Sequence, residues 1–456
     1  MVDLDSSRHI HIIGAAGAGM SALAKLLAQL GHQVSGSDLR GGPVLDLLDG
    51  IGVQTWTGSL PERVTGADLV VASSAVPDRD AEVAAATAVG IPVWRRPQLL
   101  EAVTARMPAI GATGTHGKTS TTGMLISMLR SLDEDPSFVV GGELVDLRTN
   151  AHLGNPALLV VEADEAFGTF QSLHLRGLIV TNVEPEHLDH FGTVFEMEDA
   201  FAEVVRGVDG PVIVGIDDAG GRRLAERTGR HTYGTDPEAT WHISGIEEEA
   251  MSVRFRLSGP DFEQVVVVAR PGLHTARNAA GAIALLSECG FDAIAAAGAL
   301  SEFAGVRRRF EVRATVGGVT IIDDYAHHPT EVAATVRTAM RGEWERVVAV
   351  FQPHLYSRTE EFQREFGLAL SECDQIVVTD VFGSREMPRP GVTGQLVADA
   401  ARNLTDSEVH YIPHRADLAA FLVELVVPGD LVLTMGAGDI TLLPSELAGA
   451  LSQSDS

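Results

Sequence analysis

Pro108-Ala109-Ile110-Gly111-Ala112-Thr113-Gly114-Thr115-His116-Gly117-Lys118-Thr119-Ser120-Thr121-Thr122 decides how the chain is read: a short apolar strand runs into a glycine loop, then Lys-Thr, then an amphipathic helix. That order is the order of a nucleotide triphosphate loop. Gly114 and Gly117 let backbone N–H groups turn inward around phosphate oxygens, and Lys118 brings positive charge to the outer phosphates. Thr119 offers a hydroxyl to Mg2+, and the helix that opens at Ser120 presents its positive dipole end. Thr115 and His116 complete the set expected to line ATP. The regular pattern has glycine at position 112, where this chain has alanine. A glycine turn that merely joins strand to helix accounts for Gly114 and Gly117 but not for Lys118 with Thr119. Of the 34 basic residues, moreover, only Lys25 and Lys118 are lysine, so a chain that rarely uses lysine has one where a compact point charge is needed.

At 456 residues the chain exceeds what one core usually supports, roughly 250 to 300 residues, and about three domains are expected. No apolar run reaches the roughly 20 residues that span a bilayer, and Met-Val-Asp-Leu-Asp lacks the basic start of a signal peptide, so a cytoplasmic protein without a membrane partner is expected. Cys289 and Cys373 lie far apart and outside any metal-ligand spacing, which suits core packing in a reducing compartment. A formal charge of -28 argues against a nucleic-acid surface. An anionic substrate must then be held by local arginines, backbone N–H groups and Mg2+.

Near the start, His9 to Ile13 reads as a buried strand, followed by Gly14-Ala15-Ala16-Gly17-Ala18-Gly19-Met20 and a helix through Leu30. The spacing is G-x-x-G-x-G, not G-x-G-x-x-G; either places pyrophosphate at a helix N-terminus, and a tight packing turn remains the other reading. The next strand ends in Ser37-Asp38, about 20 positions on, where ribose hydroxyls are usually met. Asp68 to Ser73 adds another strand, and a first domain closes near Arg106.

Beyond the loop, Ala157 to Val161 ends in Glu162-Ala163-Asp164-Glu165, and Leu178 to Val183 ends in Glu184-Pro185-Glu186-His187. In open parallel sheets ligands sit outside the carboxyl ends of the strands, so Lys118, Glu162 and His187 should converge there, with Glu162 and His187 as candidate metal ligands. Capping or core packing is the alternative for His187 alone. Glu247-Glu248-Glu249 reads as a solvated turn. A second change of character falls near residue 310: the strand Val319 to Ile322 leads into Asp323-Asp324-Tyr325-Ala326-His327-His328-Pro329-Thr330-Glu331, and further strands at Val347 to Phe351, Gln375 to Val381 and Asp430 to Thr434 imply a third α/β domain.

Taken together, Gly14 to Met20, Gly114 to Thr119, Glu162 to Glu165, Thr181 to Glu184 with His187, His274 to Asn278, Arg308-Arg309-Phe310, Asp323 to Glu331 and Phe351 to Thr359 resemble the Mur ligases over nearly the whole chain. His116 and the Asp-Asp-Tyr-x-His-His-Pro-Thr-Glu stretch favour a member that adds alanine. The resemblance implies a three-domain α/β protein: a Rossmann-like parallel sheet for the UDP-sugar over 1–106, a phosphate-loop ATPase domain over 107–310, and a Rossmann-like domain for the amino acid over 311–456. It implies that ATP phosphorylates the lactyl carboxylate of UDP-N-acetylmuramate and that L-alanine attacks the acyl phosphate, with Mg2+, or Mn2+ in its place, and a monomer or homodimer. Residue by residue, Lys118 would hold the transferred phosphoryl, Thr119 and Glu162 one metal, and His187 with Glu162 a second. Gly14 to Met20, Asp38 and Ser73 would hold the UDP-sugar and Asn278 the adenine, with Arg308 or Arg309 on the ATP phosphates. His327 and Arg358 would hold the alanine carboxylate, and Tyr325 would shape its pocket.

The chain departs from the family pattern at Ala166-Phe167, usually Ser-Asp, at Thr275, usually asparagine, and at Ala326 and Leu355, usually glycine and arginine. These put sugar and adenine contacts in doubt but remove no phosphate or metal residue. Several relatives carry a carbamoylated lysine after the strand-end histidine; here no lysine follows Lys118. A related ligase adding another amino acid or recycling a peptide is the rival within the class. A dinucleotide oxidoreductase read from Gly14 to Gly19 leaves Lys118 and Glu162 unexplained, and a nucleotide-switch protein would show no amino-acid-dependent phosphate release.

Overall fold

The apolar runs become the central strands of three sheets in a computed structural model that describes residues 4–186, 188–384 and 386–454. The first sheet holds β1 (His9–Ile13), β2 (Gln33–Asp38), β3 (Gln54–Thr57), β4 (Leu69–Ala72) and β5 (Val93–Arg95), all parallel in the order β3-β2-β1-β4-β5. Ile10, Ile12, Leu69 and Val71 are buried because helices cover both faces, which is why β4 reads as an unbroken apolar run and β1 as an apolar strand carrying His9 and His11. Strand order reverses between β1 and β4, where a sheet of this kind opens a crevice.

The second sheet is built from β6 (Ala109–Thr113), β7 (Pro136–Leu144), β8 (Thr149–His152), β9 (Asn155–Glu162), β10 (Leu175–Val180), β11 (Val212–Gly215), β12 (His231–Gly234), β13 (Trp241–Glu248), β14 (Val253–Gly259) and β15 (Phe262–Val268). Its order is β15-β14-β13-β12-β11-β10-β6-β9-β7-β8, so the phosphate-loop strand β6 runs between β10 and β9, parallel to both. Strands β13 to β15 escaped the sequence reading because they are half-buried: β14 alternates Val253, Phe255 and Leu257 inward with Arg254 and Arg256 outward. Glu247 and Glu248, expected in a solvated turn, close β13, and Glu248 pairs with Arg341; only Glu249 begins the turn.

The third sheet has β16 (Glu311–Val316), β17 (Val319–Asp324), β18 (Arg346–Phe351), β19 (Gln375–Val378), β20 (Glu408–Tyr411) and β21 (Asp430–Met435) in the order β16-β17-β21-β18-β19-β20. Only β16, the hairpin partner of β17, is antiparallel. Ile322, Ala349 and Leu433 pack on one face and Ile321, Val348 and Val432 on the other.

Contacts group the chain into two units: Met1–Ile246, Phe255–Val267 and Ala276–Ala304, with the first two sheets, and Glu247–Arg254, Val268–Thr275 and Gly305–Ser456. Within the first unit the helix Ala18–Gln29 packs on β7 and β8. Lys25 Nζ donates to Asn150 Oδ1 at 2.8 Å, Asn150 Nδ2 donates to the Ala18 carbonyl at 2.9 Å, and the Leu153 N–H donates to Gln29 Oε1 at 2.8 Å. One of the two lysines thus fastens the first sheet's layer to the second sheet. No described helix is long and apolar enough to cross a membrane.

A buried polar cluster ties β1, β2 and β3 to the helix Ala81–Ala88. Glu82, 1% exposed, accepts from the Ser37 hydroxyl, from Trp56 Nε1 at 3.2 Å and from the Leu60 N–H at 2.9 Å. His11 lies 3.7 Å from the carboxylate, accepts or donates at Nδ1 with Ser35 Oγ at 3.0 Å, and stacks on Trp56 at 4.9 Å. Burial works to raise the Glu82 pKa, but the His11 imidazole, the Ser37 hydroxyl and the Leu60 N–H outweigh it and bring it down from 4.5 to about 2. A depressed folded-state pKa gives stability that is present above the unfolded value and is lost as pH falls through the folded one. Wild-type stability in urea should therefore fall by up to about 3 kcal/mol more than that of Glu82→Gln between about pH 5 and pH 2. Parallel acid profiles for the two proteins would remove this role from Glu82.

Candidate active site

The phosphate loop leaves the carboxyl end of β6 and is strapped to the segment that follows β10. The Thr115 N–H donates to the Asn182 carbonyl at 3.2 Å, the His116 N–H to Asn182 Oδ1 at 2.9 Å, and Asn182 Nδ2 to the His116 carbonyl at 3.0 Å. Thr181 Oγ1 donates to the same carbonyl at 2.6 Å, and the Thr115 hydroxyl exchanges bonds with the Glu184 backbone at 3.0 and 2.8 Å. His116 Nε2 lies 3.6 Å from Glu184 Oε2. Space is as tight as the bonding. A Cβ on Gly114, at φ +127°, would lie 2.2 Å from Thr181 Oγ1, and one on Gly117, at φ +84°, would lie 2.6 Å from Asn278 Oδ1. Both glycines are required by conformation and by clearance, and Asn278, 6% exposed, is brought to the loop.

Lys118 begins the helix Lys118–Ser131, in which Thr119 is buried and Ser120 half-buried. Its Nζ donates to the carbonyls of Gly114 at 2.7 Å and Thr115 at 3.1 Å and pairs with Glu165, whose carboxylate oxygens lie at 2.9 and 2.7 Å. Burial alone would lower the ammonium pKa; Glu165, Asp164 and Glu162 reverse that and raise it, so Lys118 stays charged. Burial likewise pushes Glu165 up from 4.5, with Lys118 restraining the rise. The neighbouring Asp164 faces Arg96, whose Nη1 lies 3.1 Å from Asp164 Oδ2. Glu165 and Arg96 carried no role in the sequence reading; three acids within four positions, Glu162 to Glu165, were the available signal.

Glu162 ends β9, beside β6, and its Oε2 accepts the Gly141 N–H at 2.8 Å. A Cβ on Gly141 would lie 2.7 and 3.0 Å from the two carboxylate oxygens, so glycine there makes room for the group. One carboxylate and the Thr119 hydroxyl form an oxygen donor set that suits hydrated Mg2+. His187, the third expected metal residue, lies outside the described residues.

In the first sheet, Gly14 at φ +82° turns the chain so closely that its Cβ would lie 3.0 Å from Ser73 Cβ, which places Gly14 and Ser73 together at the crevice between β1 and β4. The Gly14 and Ala15 N–H groups donate to the Ser37 carbonyl at 2.8 and 2.9 Å. Asp38 accepts the Ala16 N–H at 3.0 Å and the Arg40 N–H at 3.2 Å, so its carboxylate pins the glycine turn. Gly17 leaves the helix Ala18–Gln29 without a side-chain cap, and the Arg96 guanidinium lies where a Cβ on Gly19 would approach to 2.9 Å.

In the second unit, Asp324 joins two expected stretches: it accepts the Phe310 N–H and the Ala326 N–H, each at 2.7 Å, and burial pushes its carboxyl up to about 6. The Tyr325 ring carries the guanidinium groups of Arg308 and Arg309 at 4.7 and 5.0 Å. Arg308 Nη2 is committed to the carbonyls of Gly436 at 2.7 Å and Gly438 at 3.3 Å. His327 meets Glu331 at 3.1 Å and faces the His354 ring edge-on at 5.8 Å, which ties the end of β17 to the end of β18. Leu355, at φ +70°, enters the helix Tyr356–Leu370, and Arg358 sits half-buried in its first turn. Thr275 bonds the Pro271 carbonyl at 2.7 Å, and Ala166 donates its N–H to Asp164 at 3.2 Å.

Three domain families match the chain: "Mur ligase family, catalytic domain" over 9–107, "Mur ligase middle domain" over 112–286 and "Mur ligase, glutamate ligase domain" over 308–438. A UDP-N-acetylmuramate--L-alanine ligase of Thermobifida fusca is 39% identical, covering 99% of this chain and 98% of that protein. One of Saccharopolyspora erythraea is 42% identical over 96% of this chain and 92% of that protein. Among solved structures, a UDP-N-acetylmuramate-alanine ligase from Thermotoga maritima superposes with a TM-score of 0.87 at 26% identity, covering 98% of this chain and 100% of that one. A murein peptide ligase from Psychrobacter arcticus gives 0.74, also at 26% identity, over 98% and 99%.

Asn182 is the strap whose side chain bonds both backbone groups of one loop residue, His116. Asn182→Ala should weaken ADP binding by about tenfold, the loss of roughly 1 to 2 kcal/mol for two bonds, with a small change in melting temperature. Unchanged ADP affinity by calorimetry would show that the loop holds its shape without the strap.

Proposed function

The chain belongs to the Mur ligase family, and from that membership we propose that it is an ATP-dependent ligase joining L-alanine to the lactyl carboxylate of UDP-N-acetylmuramate in peptidoglycan precursor synthesis. The observation that carries the chemistry is Lys118: a charged, half-buried ammonium held at the mouth of a strapped glycine loop, beside the strand end that bears Glu162.

A carboxylate does not acylate an amine, so it must first be activated. The lactyl carboxylate oxygen attacks the γ-phosphorus of ATP and ADP leaves; the amine of L-alanine then attacks the acyl carbon, and the tetrahedral adduct loses phosphate and a proton to give the amide. Little covalent work falls on the protein, whose part is positioning and charge neutralisation. Lys118 neutralises the transferred phosphoryl, and the loop from Gly114 to Ser120 orients it. Thr119 and Glu162 would hold Mg2+, which supplies further neutralisation of phosphate charge when bound. Asn278 meets the adenine. The commitment of Arg308 to two carbonyls leaves the phosphate role to Arg309. Gly14 to Met20, with Ser73 and Arg96 beside them, take the UDP-sugar pyrophosphate; Asp38 acts through the turn it pins. His327 and Arg358 hold the alanine carboxylate, with Tyr325 against its methyl group.

The deciding assay is phosphate release that needs both UDP-N-acetylmuramate and L-alanine, and Lys118→Ala should abolish it while leaving UDP-sugar binding largely intact. Turnover with a peptide instead of L-alanine would move the chain towards the murein peptide ligase that the Psychrobacter structure is named as. Arg358→Ala should cost about 2 to 5 kcal/mol in kcat/KM for alanine, since a charged substrate group loses a bidentate partner. An unchanged KM for alanine would place that carboxylate elsewhere.

The absence of any lysine after Lys118 bears on the metal site. A carbamate formed on lysine and CO2 has no residue beyond the phosphate loop to form on. Activity should be indifferent to stripping and restoring bicarbonate; recovery on adding bicarbonate would overturn that account.

A further inference from the structure

An ammonium group has three N–H donors, and in Lys118 all three have partners: the Gly114 carbonyl at 2.7 Å, the Thr115 carbonyl at 3.1 Å and the Glu165 carboxylate at 2.9 Å. A phosphate oxygen joins Nζ only by taking one of these places. The two carbonyls belong to loop peptides, and the loop is fixed through Thr115, His116, Thr181 and Asn182. The carboxylate is carried on a side chain, beyond the end of β9, and is the partner able to give way. The other nearby cation, Arg96, meets Asp164.

Resting on the phosphate-loop reading above, we propose that Glu165 is the resident counter-ion of Lys118, which nucleotide phosphate displaces on binding, and that it is thereby a positioning residue that sets nucleotide affinity. In one direction it keeps the ammonium charged and aimed at the loop mouth. In the other, every nucleotide that enters exchanges one anion for another, and the displaced carboxylate, 2% exposed, stays close to the incoming phosphates together with Asp164 and Glu162, so that it repels them or must take up a proton. Like charges held in a poorly solvated place repel strongly, so affinity falls below what the loop alone would give. The upward push of burial on the Glu165 pKa agrees with a carboxylate whose charge is costly at this place.

Glu165→Gln keeps the shape and an acceptor oxygen and removes the charge. Calorimetric titration with ADP, in EDTA and again in Mg2+, should show that variant binding about tenfold or more tightly than wild type in EDTA, a gain of about 1.4 kcal/mol. A residue that only braced the fold would leave ADP affinity equal or weaker, and that result overturns the proposal. A second measurement needs no variant at position 165. With only Lys25 and Lys118 present, protein carrying 13C and 15N in its lysines gives two side-chain ammonium signals, assigned with Lys25→Arg. Adding ADP to wild type should move the Lys118 signal and leave that of Lys25 in place; a Lys118 signal that stays put while calorimetry reports binding also overturns the exchange. Wild type that binds no ADP and releases no phosphate with L-alanine would sink the ligase reading itself. Wild type that ligates, beside a Glu165→Gln protein that binds ADP no more tightly, would sink only the role of Glu165.

Discussion

A phosphate loop works by aiming several peptide dipoles at one point, and a glycine-rich segment cannot hold such an aim on its own, because glycine has the most backbone freedom to lose. Here the aim is supplied from the neighbouring strand. Thr181 and Asn182, just past the end of β10, bond the carbonyl of His116, and Asn182 also takes its N–H. That strap is possible because β6 lies between β9 and β10 and all three end at the same edge. The glycines then follow from the strap, as at Gly114, where a methyl group would fall on Thr181 Oγ1.

An acidic protein that handles polyanions has to deliver positive charge locally, and two cations beside the glycine turns are each met by one member of a consecutive acid pair. Arg96 faces Asp164 and Lys118 faces Glu165. Adjacent residues on an irregular stretch can turn their side chains in different directions, as they do to opposite faces in a strand. The stretch after β9 is irregular until the short helical turn Ala166–Ser172, so both partners are reached within two residues.

How much of this is legible in the chain depends on the range of the interactions. Doubly covered strands such as Val347 to Phe351 are read easily because burial on both faces leaves only apolar residues, whereas β13 to β15, half-exposed, mix arginine and glutamate with valine and escape notice. Lys118, Thr119 and Glu162 are legible because the chemistry demands those types at strand ends. Asn182, Glu165 and Arg96 are not, since each acts across 47 to 68 positions of sequence and nothing local marks it. Asp38 shows a third case: its position at the end of β2 was legible, and its bond to the Ala16 N–H needs the glycine turn to be seen in space.

The cluster around Glu82 also limits how the sequence can drift. Ser37 holds the glycine turn through its carbonyl and Glu82 through its hydroxyl, while Trp56 bonds the same carboxylate and His11 stacks on Trp56. Changing any one member strands a buried polar partner, whereas changing several together to well-packed apolar groups need not cost stability. Substitutions at positions 11, 37, 56 and 82 should therefore be strongly epistatic, and a library that varies them singly should return almost nothing where one that varies them jointly finds alternatives. The sugar-side turn would be inherited with whichever solution is found, because its two N–H groups ask only for the backbone carbonyl at position 37, which every residue provides.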